Sequence, residues 1–411
     1  MLFDTTQAKR RQGPRGSFDM LLVIALVGLA CVGVVMVTSS SIAVADSQHI
    51  GAFYFLKKHL LFLSLGAVLA TFAMRTELKL LEKHAYLLLA GAVVLLLLVF
   101  VPGIGMRING ARRWLNFIIT SFQPVEAVKL ILVIYTASYL VRHRESVETS
   151  FWGLFKPIMV AGMFVVLLLA QPDFGSATLM IAVTIGMIWL GGANPVYLGG
   201  MGLPVVALLW FVAKFEPYRM RRLTSFVDPW ADPFNDGFQL TQSLMAIGRG
   251  EWTGVGLGSS VLKLSYLPEA HTDFIFAVIS EEFGLLGILF VMSLFGLAVG
   301  RGLYLGVKGM EIGQRFAGYV ACGISLMIGL QAMVSIGVNL GALPTKGLTL
   351  PLISYGGSSI VLTCAMAGVL LRTTFEINRA LDARQMATRM PANAVPDANA
   401  AVAPAREAVT A

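Results

Sequence analysis

An acidic residue with polar neighbours stands where a loop meets an apolar segment. His271, Thr272 and Asp273 are consecutive in the stretch 263–284, KLSYLPEAHTDFIFAVISEEFG, which turns apolar after Asp273. A carboxylate at such a border is partly desolvated, and its pKa can then suit a general base. His271 is a second titratable group that can act as the base or orient a substrate. The structural alternative is an N-cap-like acid, because free N–H groups favour acids near a helix N-terminus.

Four further ionisable residues lie within or between apolar segments. Glu126 and Lys129 are three residues apart and can pair on one helix, although the pair could also line a cavity. Asp173, in the motif QPDFG, is either a turn-forming residue or an acid that faces a cavity. Glu281 follows Asp273 by about two helical turns, roughly on the same face. Such residues usually face a cavity or a partner, because exposing charge to lipid is costly.

Sequence motifs for several other chemistries are missing. The run GVGLG at 254–258 has no preceding strand and no Walker lysine, so it does not indicate a nucleotide-binding loop. None of the five histidines has metal-ligand spacing, and no nucleophile elbow is present. The remaining chemistry is acid–base catalysis with electrostatic stabilisation, and whether a metal takes part is left open.

The composition indicates an integral membrane protein. Of 411 residues, 56% are hydrophobic and 13% are charged, against about 25% charged in soluble domains. Cys31, Cys322 and Cys364 all lie in apolar runs, so we expect no disulfides. The net charge of +8 is spread over loops between apolar segments. Membrane topology and anionic lipid therefore explain it better than nucleic acid, which we do not expect as a partner.

Ten apolar segments are long enough to cross the hydrocarbon core as helices. They cover approximately residues 19–40, 56–74, 84–102, 124–141, 156–171, 174–192, 196–214, 273–299, 315–339 and 353–373. An even number of spans puts both termini on one side, and short basic loops mark that side as cytoplasmic. We therefore predict an all-α integral membrane protein with ten transmembrane helices and both termini in the cytoplasm.

The same pattern divides the chain into three regions. Residues 1–18 form a basic cytoplasmic tail, and residues 19–379 form the ten-helix membrane domain. Within that domain, residues 215–272 form a large extracytoplasmic loop between the seventh and eighth helices. Residues 380–411 become rich in Ala and Pro and are expected to be a disordered cytoplasmic tail.

Several basic residues fall on the outer side, against the usual charge distribution. They are Lys58, Arg112, Arg113, Arg219 and Lys346, which belong to four separate segments. Each one alone is explained equally well as solvated surface charge. Together they suggest an anionic ligand at the outer face, most simply a phosphate or pyrophosphate group.

Five motifs between about Phe18 and Arg379 make this chain resemble the SEDS family of ten-span membrane proteins. They are GARRWLN at 110–116, FQPVEAVKL at 122–130, QPDFG at 171–175, LPEAHTDFIFAVISEEFG at 267–284 and LPTKGLTLPLISYGGSS at 343–359. The TKGLT portion of the last motif is more similar to the division branch of the family than to the elongation branch.

The resemblance implies roles for particular residues. The family's essential acid falls on Asp273, and its outer basic position on the second span falls on Lys58. Its intramembrane acid–base pair falls on Glu126 and Lys129. The chain departs from the family where Val125 replaces a frequent serine and Ala127 replaces a frequent aromatic residue, which weakens any polar role at those two positions.

The resemblance further implies polymerisation of lipid II into peptidoglycan glycan strands. Asp273 would be the general base on the acceptor GlcNAc 4-hydroxyl, which attacks C1 of the donor MurNAc with inversion and releases undecaprenyl pyrophosphate. Fixed cations would stabilise that leaving group, and Mg²⁺ or Mn²⁺ is compatible with it although no residue cluster demands a metal. The candidate substrate-binding residues are Lys58, Arg112, Arg113, Arg219, His271, Thr272, Lys346 and Ser354.

A member of this family works beside a class B penicillin-binding protein, a transpeptidase of the FtsI type, and other division proteins. We therefore expect a location in the bacterial inner membrane at the division septum. Two rival functions remain: a lipid II flippase, which ten spans with intramembrane charges also suit, and a non-catalytic scaffold for the division machinery. Against the flippase, the polar residues gather at one face rather than near the midplane.

Overall fold

The computed structural model describes residues 16–108, 110–117, 120–215, 225–263, 269–345 and 347–388. Two predicted ligand-binding residues, Arg219 and Lys346, lie outside the described residues. The same holds for most of the N-terminal tail and for residues 389–411 of the C-terminal tail.

The described chain is predominantly helical, and a helix lies in each of the ten predicted segments. In chain order the helices are α1 (Met20–Ser47), α2 (Tyr54–Arg75), α3 (Leu78–Lys83), α4 (Ala85–Leu98), α5 (Pro124–Arg142), α6 (Arg144–Thr149), α7 (Phe151–Ala170), α8 (Phe174–Leu190), α9 (Pro195–Phe215), α10 (Phe238–Gly250), α11 (Ile275–Glu311), α12 (Arg315–Asn339) and α13 (Gly357–Thr388).

Length and composition support the membrane assignment for most of these helices. Among the described residues, seven helices are long and apolar enough to cross a membrane, namely α1, α2, α5, α7, α11, α12 and α13. Helices α4 and α8 are apolar but shorter, with 14 and 17 residues. The helical membrane fold is thus confirmed, while the number of ten spans stays a prediction.

A small sheet occupies the segment between α4 and α5, where the sequence pattern predicts only a loop. Strands β1 (Gly105–Ile108), β2 (Ala111–Phe117) and β3 (Thr120–Phe122) form an antiparallel sheet in the order β1-β2-β3. Gly110 sits in the β1–β2 turn with φ +79°, a conformation that glycine adopts readily. Strands this short carry too little periodicity for the sequence pattern to reveal them.

Small residues bring the helices together in the interior. A Cβ added at Gly318 of α12 would lie 2.6 Å from the carbonyl oxygen of Gly306 in α11. A Cβ added at Gly368 of α13 would lie 2.5 Å from the carbonyl oxygen of Ala70 in α2. Glycine at these positions permits backbone-to-backbone contact, which is the usual way in which membrane helices pack closely.

The N-terminal segment and the end of α13 meet at the same end of the helix bundle. The rings of Phe18 and Phe375 are 5.1 Å apart, and Asn378 donates a hydrogen bond to the Ser17 carbonyl at 3.0 Å. This arrangement agrees with an even number of spans.

The boundary of the C-terminal tail differs from the prediction. Helix α13 continues to Thr388, so residues 380–388 are helical rather than part of a disordered tail. The physical reason is local, because Ala, Leu, Arg and Gln, which fill much of this stretch, are strong helix formers. Helix α13 therefore ends later in the sequence than its last large apolar residues suggested.

Helix α11 is broken at Gly284, the tenth of its 37 residues. Gly284 has φ +61° and ψ −156°, and the helix resumes after it. Residues 281–286 on either side of the break exchange four backbone hydrogen bonds of 2.9–3.2 Å with the segment 251–256. Inside a membrane, a backbone group that leaves the helical pattern must find its partner within the protein. The segment 251–256 supplies those partners.

We predict that Gly284→Ala lowers stability by at least about 2 kcal/mol, because this backbone conformation is nearly restricted to glycine. In addition, an added Cβ would lie 2.5 Å from the Gly254 nitrogen and 2.6 Å from the Gly250 oxygen. The measurement is the thermal unfolding midpoint in detergent. The matched control is Gly296→Ala on the same helix, where an added Cβ has nothing within 4 Å. Equal midpoints for the two variants would refute this account of the break.

A buried ion pair lies in the first two turns of α5. Glu126 Oε1 and Lys129 Nζ are 2.8 Å apart within α5, as their spacing predicts, and the Lys129 side chain is fully buried. Lys129 Nζ also donates to Gln331 Oε1 of α12 at 2.9 Å. Gln331 Nε2 in turn donates to the Thr349 carbonyl at 2.9 Å. A series of hydrogen bonds thus runs from this pair in α5 through Gln331 of α12 to the segment before α13.

We predict that Lys129→Met alone costs about 3–5 kcal/mol, because it leaves the Glu126 carboxylate buried without its cation. The double variant Glu126→Leu/Lys129→Met should recover most of that loss, as both charges are removed together. Thermal unfolding in detergent measures both. Arg144→Met, which breaks the exposed pair with Glu148 (2.6 Å), should leave the midpoint unchanged. A double variant as unstable as Lys129→Met would show that the stranded charge is not the cause.

Candidate active site at one end of the bundle

Asp273 lies in the turn 269–274 that immediately precedes α11, and it is partly exposed. Helix α11 begins at Ile275, and its N-cap residue is Phe274, whose side chain makes no capping hydrogen bond. The N–H group of Ala277, in the first turn of α11, donates both to the Phe274 carbonyl and to Asn339 Oδ1, each at 3.1 Å. The capping acceptor is therefore an amide from another helix, and the N-cap alternative for Asp273 does not describe this arrangement.

Glu269 organises the turn that carries Asp273. Its backbone has φ +58°, and its carbonyl oxygen accepts hydrogen bonds from the N–H groups of Thr272 at 3.1 Å and Phe274 at 3.2 Å. Thr272 Oγ1 donates to the Glu269 carboxylate at 2.6 Å. The Thr272 hydroxyl, a candidate for substrate binding, is therefore engaged within its own turn.

The segment 347–356 between α12 and α13 packs against this turn. Ser354 Oγ donates to the Thr272 carbonyl at 2.6 Å and accepts from the Leu350 N–H at 2.8 Å. The Tyr355 N–H donates to the His271 carbonyl at 2.9 Å. Gly347 of the same segment lies close to the Asp273 carboxylate. These contacts fix the backbone on the N-terminal side of Asp273, and they give the Ser354 hydroxyl a structural role.

The carboxylate of Asp273 closely approaches Gly347. A Cβ added at Gly347 would lie only 2.9 Å from Asp273 Oδ2. The segment 347–356 thus approaches the carboxylate with a residue that has no side chain. A side chain at position 347 would occupy the space beside the Asp273 carboxylate.

His271 packs between two aromatic rings. Its ring centroid is 4.9 Å from that of Phe55 in α2 and 5.6 Å from that of Tyr355. Its Nδ1 atom is buried and has no hydrogen-bond partner among the described residues. Burial lowers the pKa of His271 below its usual value, and the nearby charge of Glu269 opposes this shift. The imidazole is therefore neutral at pH 7, which suits packing and orientation better than binding an anion.

The predicted basic ligands are placed differently from one another. Lys58 is exposed one turn along α2 from Phe55, with its Nζ 4.6 Å from the centroid of the Tyr54 ring. Arg112 is exposed on β2. Of the basic residues predicted at the outer face, these two are described as exposed.

Arg113 instead holds the sheet to the turn between α7 and α8, and Asp173 caps the helix that follows this turn. Arg113 Nε donates to the Gln171 carbonyl at 3.0 Å, and its Nη2 donates to the Pro172 carbonyl. Asp173 is buried and caps α8, where its Oδ1 accepts from the Ser176 N–H at 3.2 Å. The turn-forming interpretation of Asp173 therefore fits the structure. Arg113 connects β2 to the turn between α7 and α8.

Glu281 is enclosed by the outer loop. Its fully buried carboxylate accepts from the Ser260 hydroxyl and from the Val261 N–H at 3.1 Å, and it lies 3.5 Å from Arg249 Nη1. The structure therefore joins Glu281 to the loop and not to the turn of Asp273.

The adjacent Glu282 forms a second buried cluster that the sequence analysis did not identify. Its Oε1 accepts from Lys263 Nζ at 2.8 Å and from Ser39 Oγ at 2.6 Å. Neighbouring residues on a helix point about 100° apart, so an acidic doublet in an apolar helix can serve two clusters. Together the two glutamates attach the end of the outer loop to α1 and α11.

No protein metal site emerges from the described residues. Among them, no group of three or more His, Cys, Asp or Glu side chains could hold a metal ion. Mg²⁺ or Mn²⁺, with which the resemblance is compatible but which it does not require, has no such cluster of ligands among these residues, and no chemical step is assigned to it.

Comparison with known proteins agrees with this architecture. Residues 19–378 match the family of cell cycle proteins that comprises FtsW, RodA and SpoVE. A probable peptidoglycan glycosyltransferase FtsW from Xanthomonas oryzae pv. oryzae is 54% identical over 377 residues, which are 91% of this chain and 76% of the relative. Another from Hahella chejuensis is 45% identical over 356 residues, which are 87% of this chain and 90% of the relative.

Solved structures show the same fold. A chain from a peptidoglycan synthase complex, described as structurally coordinating polymerization and crosslinking, superposes with a TM-score of 0.72 and 29% identity. The match covers 88% of this chain and 98% of that one. The rod shape determining protein RodA of Thermus thermophilus superposes with a TM-score of 0.63 and 27% identity, covering 87% and 97%. This chain is therefore a multi-pass membrane protein of the FtsW/RodA/SpoVE family of cell cycle proteins, the SEDS family that its five motifs resemble.

Proposed function

We propose that this protein is a peptidoglycan glycosyltransferase that polymerises lipid II, with Asp273 as the general base. The observation that carries the proposal is the placement of Asp273: a partly exposed carboxylate on a turn that hydrogen bonds hold in place, at the end of an apolar helix bundle. Relatives described as probable peptidoglycan glycosyltransferases support the same activity.

In this mechanism the Asp273 carboxylate accepts the proton of the acceptor GlcNAc 4-hydroxyl. That oxygen forms a bond to C1 of the donor MurNAc while the bond from C1 to the pyrophosphate oxygen breaks, so the configuration at C1 inverts. Undecaprenyl pyrophosphate leaves with the bonding electrons, and the protonated Asp273 later returns its proton to water. General base catalysis of this kind contributes about 10²–10⁴-fold to a rate.

Cations would stabilise the charge that develops on the leaving pyrophosphate. Lys58 and Arg112 suit this role because both are exposed on the segments that carry the outer basic residues. Arg219 and Lys346 remain candidates on charge alone. Arg113 is a weaker candidate, because its guanidinium already donates to the carbonyls of the turn between α7 and α8.

The proposed setting is the inner membrane at the division septum, with a class B penicillin-binding protein as partner. Support for the location comes from the relatives named FtsW. Support for the partner comes from the similar chain in a complex that coordinates polymerization and crosslinking. A transpeptidase acting beside the polymerase would crosslink each strand as it emerges.

We predict that Asp273→Asn reduces lipid II polymerisation by at least about 100-fold, because the amide cannot accept the proton. The variant should still insert, purify and bind lipid II, since Asn has the same shape. The measurement is the rate of glycan strand formation by the purified protein with its transpeptidase partner. Asp236→Asn, which changes an exposed acid of the outer loop, is the control and should retain the wild-type rate.

Three results would contradict the proposal. The first is a wild-type polymerisation rate for Asp273→Asn. The second is translocation of fluorescent lipid II across liposomes by the wild-type protein without any polymerisation, which would support the flippase alternative. Normal division in cells that carry only Asp273→Asn would instead point to the scaffold alternative.

The pH dependence of stability tests the environment of His271. Because burial lowers the folded-state pKa of His271, the unfolded state binds more protons between that pKa and the ordinary value near 6.5. The contribution of His271 to stability is therefore complete above about pH 6.5 and is lost as the pH falls toward the folded pKa. We predict that His271→Gln loses less of its thermal midpoint than the wild type between about pH 6.5 and 5. The control is exposed His49→Gln, and identical curves for all three proteins would contradict the prediction.

A further inference from the structure

Asn339, the last residue of α12, reaches across to the turn that carries Asp273. Its side-chain Nδ2 donates to the Asp273 carbonyl at 3.0 Å and to the Ser335 carbonyl at 2.8 Å. Its Oδ1 accepts from the Ala277 N–H of α11 at 3.1 Å. The residue is fully buried. One planar amide thus holds both sides of the junction between Asp273 and α11.

The Asn339 amide supplies a side-chain hydrogen-bond acceptor that the residue at the N-cap of α11 lacks. The first N–H groups of a helix have no intrahelical acceptor, and a short polar residue at the N-cap usually supplies one. In α11 that position is occupied by Phe274, which has no side-chain acceptor. Asn339 supplies a side-chain acceptor from a different helix, and the Ala277 N–H shares it with the Phe274 carbonyl. The first turn of α11 is therefore held by an amide from α12.

The backbone of Asn339 is itself held by a hydrogen bond from α10. Its own carbonyl accepts a hydrogen bond from Ser243 Oγ of α10 at 2.8 Å. Because the amide is planar and uses both its donor and its acceptor, its orientation is set by three groups at once. A displacement of the Asp273 backbone would break its hydrogen bond with Asn339 Nδ2. On the opposite side, Ser354 and Tyr355 hold the two preceding carbonyls.

We propose that Asn339 is a positioning residue for Asp273, which sets the place of the catalytic carboxylate through its backbone carbonyl. The inference rests on the proposed role of Asp273 as the general base. A shift of a reacting group by about 1 Å can cost about 10²-fold in rate. Loss of the amide therefore acts on the chemical step, while the surfaces that bind the lipid and the sugars keep their places.

The test compares Asn339→Ala and Asn339→Leu with the wild type in the complex with its transpeptidase partner. Both variants remove the amide, and Leu preserves its approximate volume, which separates the hydrogen bonds from a cavity. We expect kcat for lipid II polymerisation to fall about 10- to 100-fold in both, with KM within about two-fold of the wild type. A residue with only a structural role would lower the thermal midpoint and would have no selective effect on kcat.

The matched control is Ser335→Ala, one turn earlier on α12. Ser335 is equally buried, and its hydroxyl has no hydrogen-bond partner among the described residues. Its backbone carbonyl still accepts from Asn339 after the substitution. We expect Ser335→Ala to keep wild-type kcat and KM.

Three outcomes would overturn the inference. The first is wild-type kcat in both Asn339 variants while Asp273→Asn is inactive, which would leave the proposed function intact. The second is a parallel loss of kcat and of lipid II affinity. The third is failure of both variants to purify as folded protein while Ser335→Ala does so, which would make Asn339 structural. By contrast, a wild-type rate for Asp273→Asn would remove the proposed function itself.

Discussion

The structure depends on one constraint: inside a membrane, a backbone group that leaves the helical pattern must find its partner within the protein. The chain departs from helix twice near the site, at Gly284 and in the segment 347–356. The first departure is paired with the segment 251–256, and the second contributes Ser354 and Tyr355 to the turn before α11. In the second case, the hydrogen bonds from Ser354 and Tyr355 also hold the turn of Asp273 in place.

Buried charge follows a related rule, since an ionised group in the interior is stable only with a partner. Lys129 pairs with Glu126 in the bundle, and Lys263 pairs with Glu282 beneath the outer loop. The cation of each pair also reaches another element, because Lys129 donates to Gln331 of α12 and Lys263 donates to Ser39 of α1. Asp273 differs from these acids because it is partly exposed at the end of the bundle. Exposure, rather than acidity, separates the proposed catalytic residue from the structural ones.

The parts of the fold that depend on local composition could be predicted. Long apolar runs form helices wherever they occur, so the helices of the membrane domain lie where their hydrophobicity places them. The sheet β1–β3 was missed because its strands are too short to show a period. The end of α13 was misplaced because hydrophobicity ends before helix propensity does. Periodicity cannot reveal strands this short, and hydrophobicity does not decide where a helix ends once it leaves the membrane.

Composition and local spacing predict a helical membrane protein, a pairing of Glu126 with Lys129 as one of two alternatives, and the position of Asp273 at the border between a loop and an apolar segment. Each of these follows from composition or from spacing within about two helical turns. Only the tertiary structure decided that Asn339 holds Asp273 and that Ser354 holds Thr272. Those partners are 66 and 82 residues apart. No local pattern encodes such contacts, because they arise only when separate helices pack and their backbone groups must be satisfied together.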